Sequence, residues 1–151
     1  MTRIYVDADG CPVKREICKV AKRCGIEAIF VANTWMRIGQ ADGQRMVVVD
    51  GDFNAADDWI AGQAGANDIV ITADIPLAAR CLAKAAVVLD PRGGAFTENT
   101  IGQALATREL MSHLRNMDQV AGGPAPFEPR DRSRFLQRLD EAIQSARRKK
   151  P

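Results

Sequence analysis

Apolar positions fall along this chain in two alternating rhythms. Short runs rich in Val and Ile each stop at an acid: Ile4-Tyr5-Val6 at Asp7, Met46-Val47-Val48-Val49 at Asp50, Ile69-Val70-Ile71-Thr72-Ala73 at Asp74, and Ala86-Val87-Val88-Leu89 at Asp90. Runs of this kind, bounded by turn residues, predict buried strands. A further strand is expected over 26–32, ending at Asn33. Between them the spacing turns helical. Pro12 suits a first turn, Val13, Ile17, Val20 or Ala21, and Cys24 recur on one face, and Gly25 closes that helix. Helices are likewise expected over 54–63, after Pro76 with Leu77, Cys81 and Leu82 inward, and over 98–114 behind a Thr97 cap. A last helix, 130–148, puts Phe135, Leu139, Ala142 or Ile143, and Ala146 on one face, then frays into a tail at 149–151. The segment 34–45, with Gly39 and Gly43, reads as a loop, and Gly122-Gly123-Pro124-Ala125-Pro126 as a stiff connector.

Strand and helix in alternation predict an α/β chain: a three-layer α/β/α arrangement around a mostly parallel five-stranded sheet, in one domain over 1–151. In such a sheet the strand-end acids collect along the carboxyl edge, where open α/β sheets bind ligands. Like charges in one crevice resist ionising together unless a cation joins them. Clustered carboxylate oxygens suit a hard divalent ion, Mg²⁺ or Mn²⁺.

Composition narrows the picture modestly. With 151 residues, 46% hydrophobic and 26% charged, the chain has the make-up of a globular domain. A net charge of +2 does not by itself announce a nucleic-acid binder, although Arg and Lys crowd the stretch from Arg130 to Lys150. Asp7 and Asp9 interrupt any apolar leader, and no run approaches the ~20 apolar residues of a membrane span. Cys11, Cys18, Cys24 and Cys81 lack the C-x-x-C spacing of a zinc site or redox pair; Cys18 and Cys81, at apolar helical positions, are expected to be buried thiols, and a cytoplasmic location is expected.

Each candidate has a bland reading beside the functional one. Asp7 and Asp9 sit close enough in an extended turn to share a cation, yet Asp9 could simply satisfy backbone amides. Asp57 and Asp58, near Asp50 and Asp52, would favour a helix start through the macrodipole alone. Spacing does not choose which of that pair reaches the crevice. Asp74 could be an Asx-turn residue ahead of Pro76, and Asp90 could merely shape a turn. Thr72 would lie on Asp74's side of the strand, where it could orient that acid or bind phosphate. Cys11 has no C-x₅-R loop after it, and His113, the single histidine, reads as a surface residue. The basic run holding Arg130, Arg132, Arg134, Arg138 and 147–150 could grip phosphates, or be the wet side of a helix.

Six stretches together resemble the bacterial YaiI/YqxD family. They are Val6-Asp7-Ala8-Asp9-Gly10-Cys11-Pro12-Val13-Lys14, Val31-Ala32-Asn33, Ala55-Ala56-Asp57-Asp58-Trp59-Ile60, Thr72-Ala73-Asp74-Ile75-Pro76-Leu77-Ala78, Leu89-Asp90-Pro91-Arg92-Gly93 and Arg130-Asp131-Arg132-Ser133-Arg134-Phe135. That family is similar to PIN-domain nucleases, whose strand-end acids hold Mg²⁺ or Mn²⁺ and hydrolyse RNA. By that resemblance Asp7 looks like the acid after the first strand, and Asp74, in its T-x-D-x-x-L setting, like the later one. Asp57 or Asp58 is the closest counterpart of the central acid.

The expectation is therefore a PIN-like, metal-dependent phosphodiesterase, with nucleic acid, RNA favoured, as partner and no membrane. Asp7, Asp74 and Asp58 or Asp57 would hold the ion, with Asp9 assisting. Asn33 and Thr72 would position phosphate, Arg80 or Arg92 would neutralise charge, and Arg130, Arg132 and Arg134 would bind the backbone. Two rivals stand beside it. Asp7-x-Asp9-Gly10, with Thr34 and Gly51-Asp52, also looks like a haloacid-dehalogenase-type phosphatase, although no lysine lies between Thr34 and Gly51 and Pro12 starts a helix where such enzymes carry a flap. The other is a non-catalytic RNA-binding protein with a relict site.

Overall fold

The computed structural model describes residues 2–38, 43–52, 54–116 and 125–148. Its elements are β1 (Arg3–Asp7), α1 (Lys14–Cys24), β2 (Glu27–Ala32), β3 (Gln44–Val48), α2 (Ala55–Gln63), β4 (Ile69–Ile71), α3 (Ile75–Leu82), β5 (Val87–Leu89), β6 (Ala95–Phe96), α4 (Glu98–Asn116) and α5 (Pro129–Arg148). Gly39, Gly122 to Pro124 and the tail 149–151 lie outside the described residues.

The strands form one sheet in the order β3-β2-β1-β4-β5-β6, parallel throughout except for β5 against β6. This corrects the expected five strands to six. Ala95–Phe96 is too short to carry a periodic signal, and it pairs with β5 because the turn after Asp90 folds the chain back. β1 sits between β2 and β4, so the chain winds outward to one side through β2 and β3, then crosses to start again at β4. The crevice between the carboxyl ends of β1 and β4 is thus the topological switch point, where open sheets of this kind take their ligands.

Alternation along the strands builds two cores. Ile4, Val6, Ala8, Phe30, Ile69 and Ile71 face a core shared with α1 and α5, whereas Tyr5, Ile29, Val31, Val70 and Val88 face one shared with α2 and α3. Phe135, Leu139 and Ile143 of α5 are fully buried, each stabilising the fold by roughly 1.5–3 kcal/mol. The stripe read from sequence is correct, with Ile143 rather than Ala142 at its centre. α1 ends where Gly25 takes a left-handed φ of 66° and donates its N–H to Ala21 and Lys22 carbonyls. Among the described residues no helix is long and apolar enough to cross a membrane.

The loop after β5 locks onto α5. Gly93 has φ +92°, and a Cβ there would lie 2.6 Å from Arg134 Cγ and 2.8 Å from the Arg134 carbonyl carbon, so this contact admits only glycine. Beside it the Arg92 guanidinium donates to Asp131 at 3.2 Å and to the carbonyls of Pro126 and Ala125, and lies over the Phe127 ring.

Candidate functional site

β1 and β4 bring Asp7 and Asp74 to the switch point, and one hydroxyl ties them together. Thr72 is 1% exposed; its Oγ1 donates to Asp7 Oδ2 at 2.9 Å and accepts the Asp74 N–H at 2.9 Å. Asp74 in turn caps α3, its Oδ1 accepting the Leu77 N–H at 2.9 Å. The Asx-type and functional readings of Asp74 are therefore compatible: one oxygen caps the helix and the other has no hydrogen bond among the described residues. Asp7 likewise keeps one oxygen uncommitted.

Asp57 enters the same crevice from the first turn of α2. Burial, followed by the charges of Asp74 and Asp7, pushes its carboxyl up to about 6, with Arg80 opposing. Burial also raises the Asp7 carboxyl, the Thr72 hydrogen bond opposes it, and Asp74 and Asp9 raise it further. Asp57 thus feels the charges of both strand-end acids, and Asp7 that of Asp74. Asp58 faces the other way, onto solvent, where its carboxylate meets Arg80 at 2.8 Å. Of the pair that spacing did not separate, Asp57 feels the two strand-end acids and Asp58 holds Arg80.

The remaining candidates divide between the crevice and the scaffold. Asp9 is exposed in the turn after β1. Asn33 follows β2 next to β1, its Oδ1 buried and without a hydrogen bond. The Thr72 hydroxyl is buried and occupied by the Asp7 carboxylate and the Asp74 backbone N–H, so it positions these two residues rather than meeting phosphate directly. Asp50 is exposed beyond the edge strand β3, Asp52 accepts the Asn54 N–H, and Asp90 accepts the Arg92 N–H. These last two serve turns, which for Asp90 is the bland reading given above. Arg92 is engaged in the α5 staple, Arg130 pairs with Glu128 at 2.7 Å, Arg132 with Glu16 at 3.7 Å, and Arg134 packs on Gly93. Arg147 donates to the Cys24 carbonyl at the end of α1. His113 is exposed, and Cys11, Cys18 and Cys81 are buried cysteines.

Sequence reasoning passed over Lys14 and Asp131. The Lys14 ammonium donates to the carbonyls of Cys11 at 2.8 Å and Ala8 at 3.3 Å, bracketing the turn that carries Asp9. Asp131, 7% exposed, accepts the Glu128 N–H at 2.9 Å besides Arg92. Its signal was its place in the first turn of a helix, where a carboxylate caps.

Oxygen-only donors, mutual repulsion and two uncommitted oxygens match what a hard divalent cation requires. Among the described residues no group of three His, Cys, Asp or Glu side chains is placed to hold a metal ion. In donor chemistry alone Asp7, Asp57 and Asp74 suit such an ion, and they are the residues that would hold it.

The class defined by fold and site is a parallel-sheet α/β protein with a coupled acidic crevice at its switch point. The chain belongs to the family described as "Uncharacterized BCR, YaiI/YqxD family", whose model matches residues 5–145. It is 49% identical over 148 residues to a "UPF0178 protein" of Caulobacter sp. (strain K31), covering 98% of both chains. It is 54% identical over 138 residues to a relative of the same description in Agrobacterium fabrum (strain C58), covering 91% of this chain and 90% of that one. A third, in Paramagnetospirillum magneticum, is 51% identical over 151 residues and the full length of both. No solved structure matches the chain.

Proposed function

We propose that the chain is a metal-dependent phosphodiesterase acting on nucleic acid, with RNA the favoured substrate. The observation that carries this reading is the gathering of Asp7, Asp57 and Asp74 at the switch point of the sheet, where burial first and neighbouring acids second push the Asp7 and Asp57 carboxyls up. Mg²⁺ or Mn²⁺, when bound, supplies a water of lowered pKa and polarises the scissile phosphate. Asp7, Asp57 and Asp74 hold the ion, with Asp9 at the rim. Thr72 fixes the rotamer of Asp7 and the start of α3. Arg80, held by Asp58 beside Asp57, offsets charge developing on the phosphate, and Asn33 supplies a polar contact next to β1.

The test is Mn²⁺-dependent cleavage of end-labelled single-stranded RNA by the native protein beside Asp7→Asn. Cleavage by the native protein and none by the variant is the expected outcome. Equal cleavage by both, or none by either with Mn²⁺ or Mg²⁺, overturns the reading. Turnover of p-nitrophenyl phosphate without RNA cleavage would transfer the site to the phosphatase alternative.

A further inference from the structure

Two clefts beside α1 are lined with cations, some held by the fold and others without a partner among the described residues. A cleft of about 820 Å³ between α1 and α5 is walled by Lys14, Arg15, Lys19, Arg23 and Arg132, with Glu16 its one acid. A second cleft, of about 430 Å³, continues round α1 to Arg37 and shares Lys14, Arg15 and Lys19 with the first. Arg132 is engaged by Glu16 and Arg23 by Asp140 at 3.3 Å, but Arg15, Lys19 and Arg37 have no hydrogen bond or ion pair among the described residues. Repulsion among such neighbours costs stability unless an anion lies between them. Lys14 joins this side to the acidic crevice, because its ammonium grips both ends of the Asp9 turn.

Two residues before Arg37, Trp35 is 71% exposed. The segment that carries it leaves β2 at the carboxyl edge, where Val31 is in register with Asp7. An indole left in water two residues from Arg37 is an amphipathic platform: its face takes a nucleobase while neighbouring cations take phosphates. Bases inside a duplex are already stacked on one another, so such a platform selects strands whose bases are free.

We propose that Trp35, Arg37 and the Lys14, Arg15 and Lys19 side of α1 form a binding track for single-stranded nucleic acid. The track holds phosphates by charge and one base by stacking, with little preference for sequence. It leads past the Asp9 turn toward Asp7. The inference deepens the phosphodiesterase reading, on which it rests for the cleavage of the bound strand; the track itself stands on residues outside the acidic set.

The experiment is fluorescence anisotropy of a labelled single-stranded RNA in EDTA, where no metal-dependent cleavage can intervene, repeated across a salt series. The native protein binds the single strand at least tenfold tighter than a duplex of the same sequence. Arg15→Gln with Lys19→Gln weakens binding and lowers the slope of log K against log salt by roughly 0.7 for each phosphate no longer neutralised. Trp35→Ala lowers affinity by about tenfold with the slope unchanged, since stacking carries no counterion release. Duplex binding as tight as single-strand binding, or native affinity in both variants with folding intact by circular dichroism, overturns the track. A parallel cleavage assay of the same strand, with Mn²⁺ in place of EDTA and Asp7→Asn as the inactive control, separates the two claims. Binding retained without any cleavage by the native protein removes the phosphodiesterase and keeps the track; cleavage indifferent to Arg15, Lys19 and Trp35 does the reverse.

Discussion

Thr72 Oγ1 donates to Asp7 Oδ2 across 2.9 Å and accepts the Asp74 N–H at the same distance, so one buried hydroxyl orders both strand-end acids. Its proton is committed to Asp7, and its oxygen serves the backbone where α3 begins. Thr72 is the residue through which β4 sets the geometry of β1's carboxylate.

Replacing Thr72 by valine keeps the shape and removes both bonds. Leaving a buried N–H and a half-buried carboxylate unpaired costs about 1–3 kcal/mol, read as a lower urea midpoint. Thr72→Ser, which keeps the hydroxyl, restores most of that loss. Native stability in Thr72→Val would show that the hydroxyl is not holding the acids.

Asp57 makes stability depend on pH in a defined direction. Its folded pKa of about 6 lies above the ordinary 3.8, so the folded state binds more protons between those values. Stability is therefore highest below that window and falls as pH rises through it to about 6. Asp57→Asn removes this descent and is more stable than the native protein at neutral pH, by about 1 kcal/mol once solvent screening is allowed for. Thermal melts at pH 4, 5, 6 and 7, without divalent ions, check it. Parallel curves for the two proteins would sink the coupling.

The parallel frame and its acids were legible because strand ends carry a strong local signal: Val and Ile runs stopping at Asp7 and Asp74 report both the element and its exit. The sixth strand was not, since two residues carry no period and Ala95–Phe96 pairs only because of the turn before it. Asp57 and Asp58 are equally acidic neighbours, and only the rotation of α2 sends one inward and the other to Arg80. The basic residues misled for a related reason. Charge is visible in sequence but its partner is not, so Arg92 and Arg147 look free until Asp131 and the Cys24 carbonyl are found beside them.

Arg92 is expected to behave as a scaffold residue. Its guanidinium meets Asp131, which is largely buried, as well as two carbonyls and the Phe127 ring. Arg92→Ala leaves the Asp131 carboxylate without its cation and costs about 2–3 kcal/mol. Arg92→Lys recovers little, because an ammonium cannot reproduce the planar fork. Any Mn²⁺-induced rise in melting temperature stays at the native size in both variants. A variant with native stability and a lost metal response would instead return Arg92 to the acidic site.

Asp7→Asn separates a metal ligand from a turn residue. Burial and the charges of Asp74 and Asp9 raise the Asp7 pKa, so at neutral pH its charge works against the folded state. Asparagine keeps an oxygen to accept from Thr72 and deletes that charge. The metal-free variant should therefore melt at or above the native temperature at pH 7. For the native protein, Mn²⁺ at one hundred times its Kd adds about 2.7 kcal/mol, or roughly 5–10 °C in a domain of this size. That gain shrinks toward pH 5, as protons compete for Asp57, and it is largely lost in Asp7→Asn at any pH. A flat native melt across the Mn²⁺ titration would remove the metal from the site. A variant that is destabilised without metal, yet gains the full native shift with it, would return Asp7 to the turn.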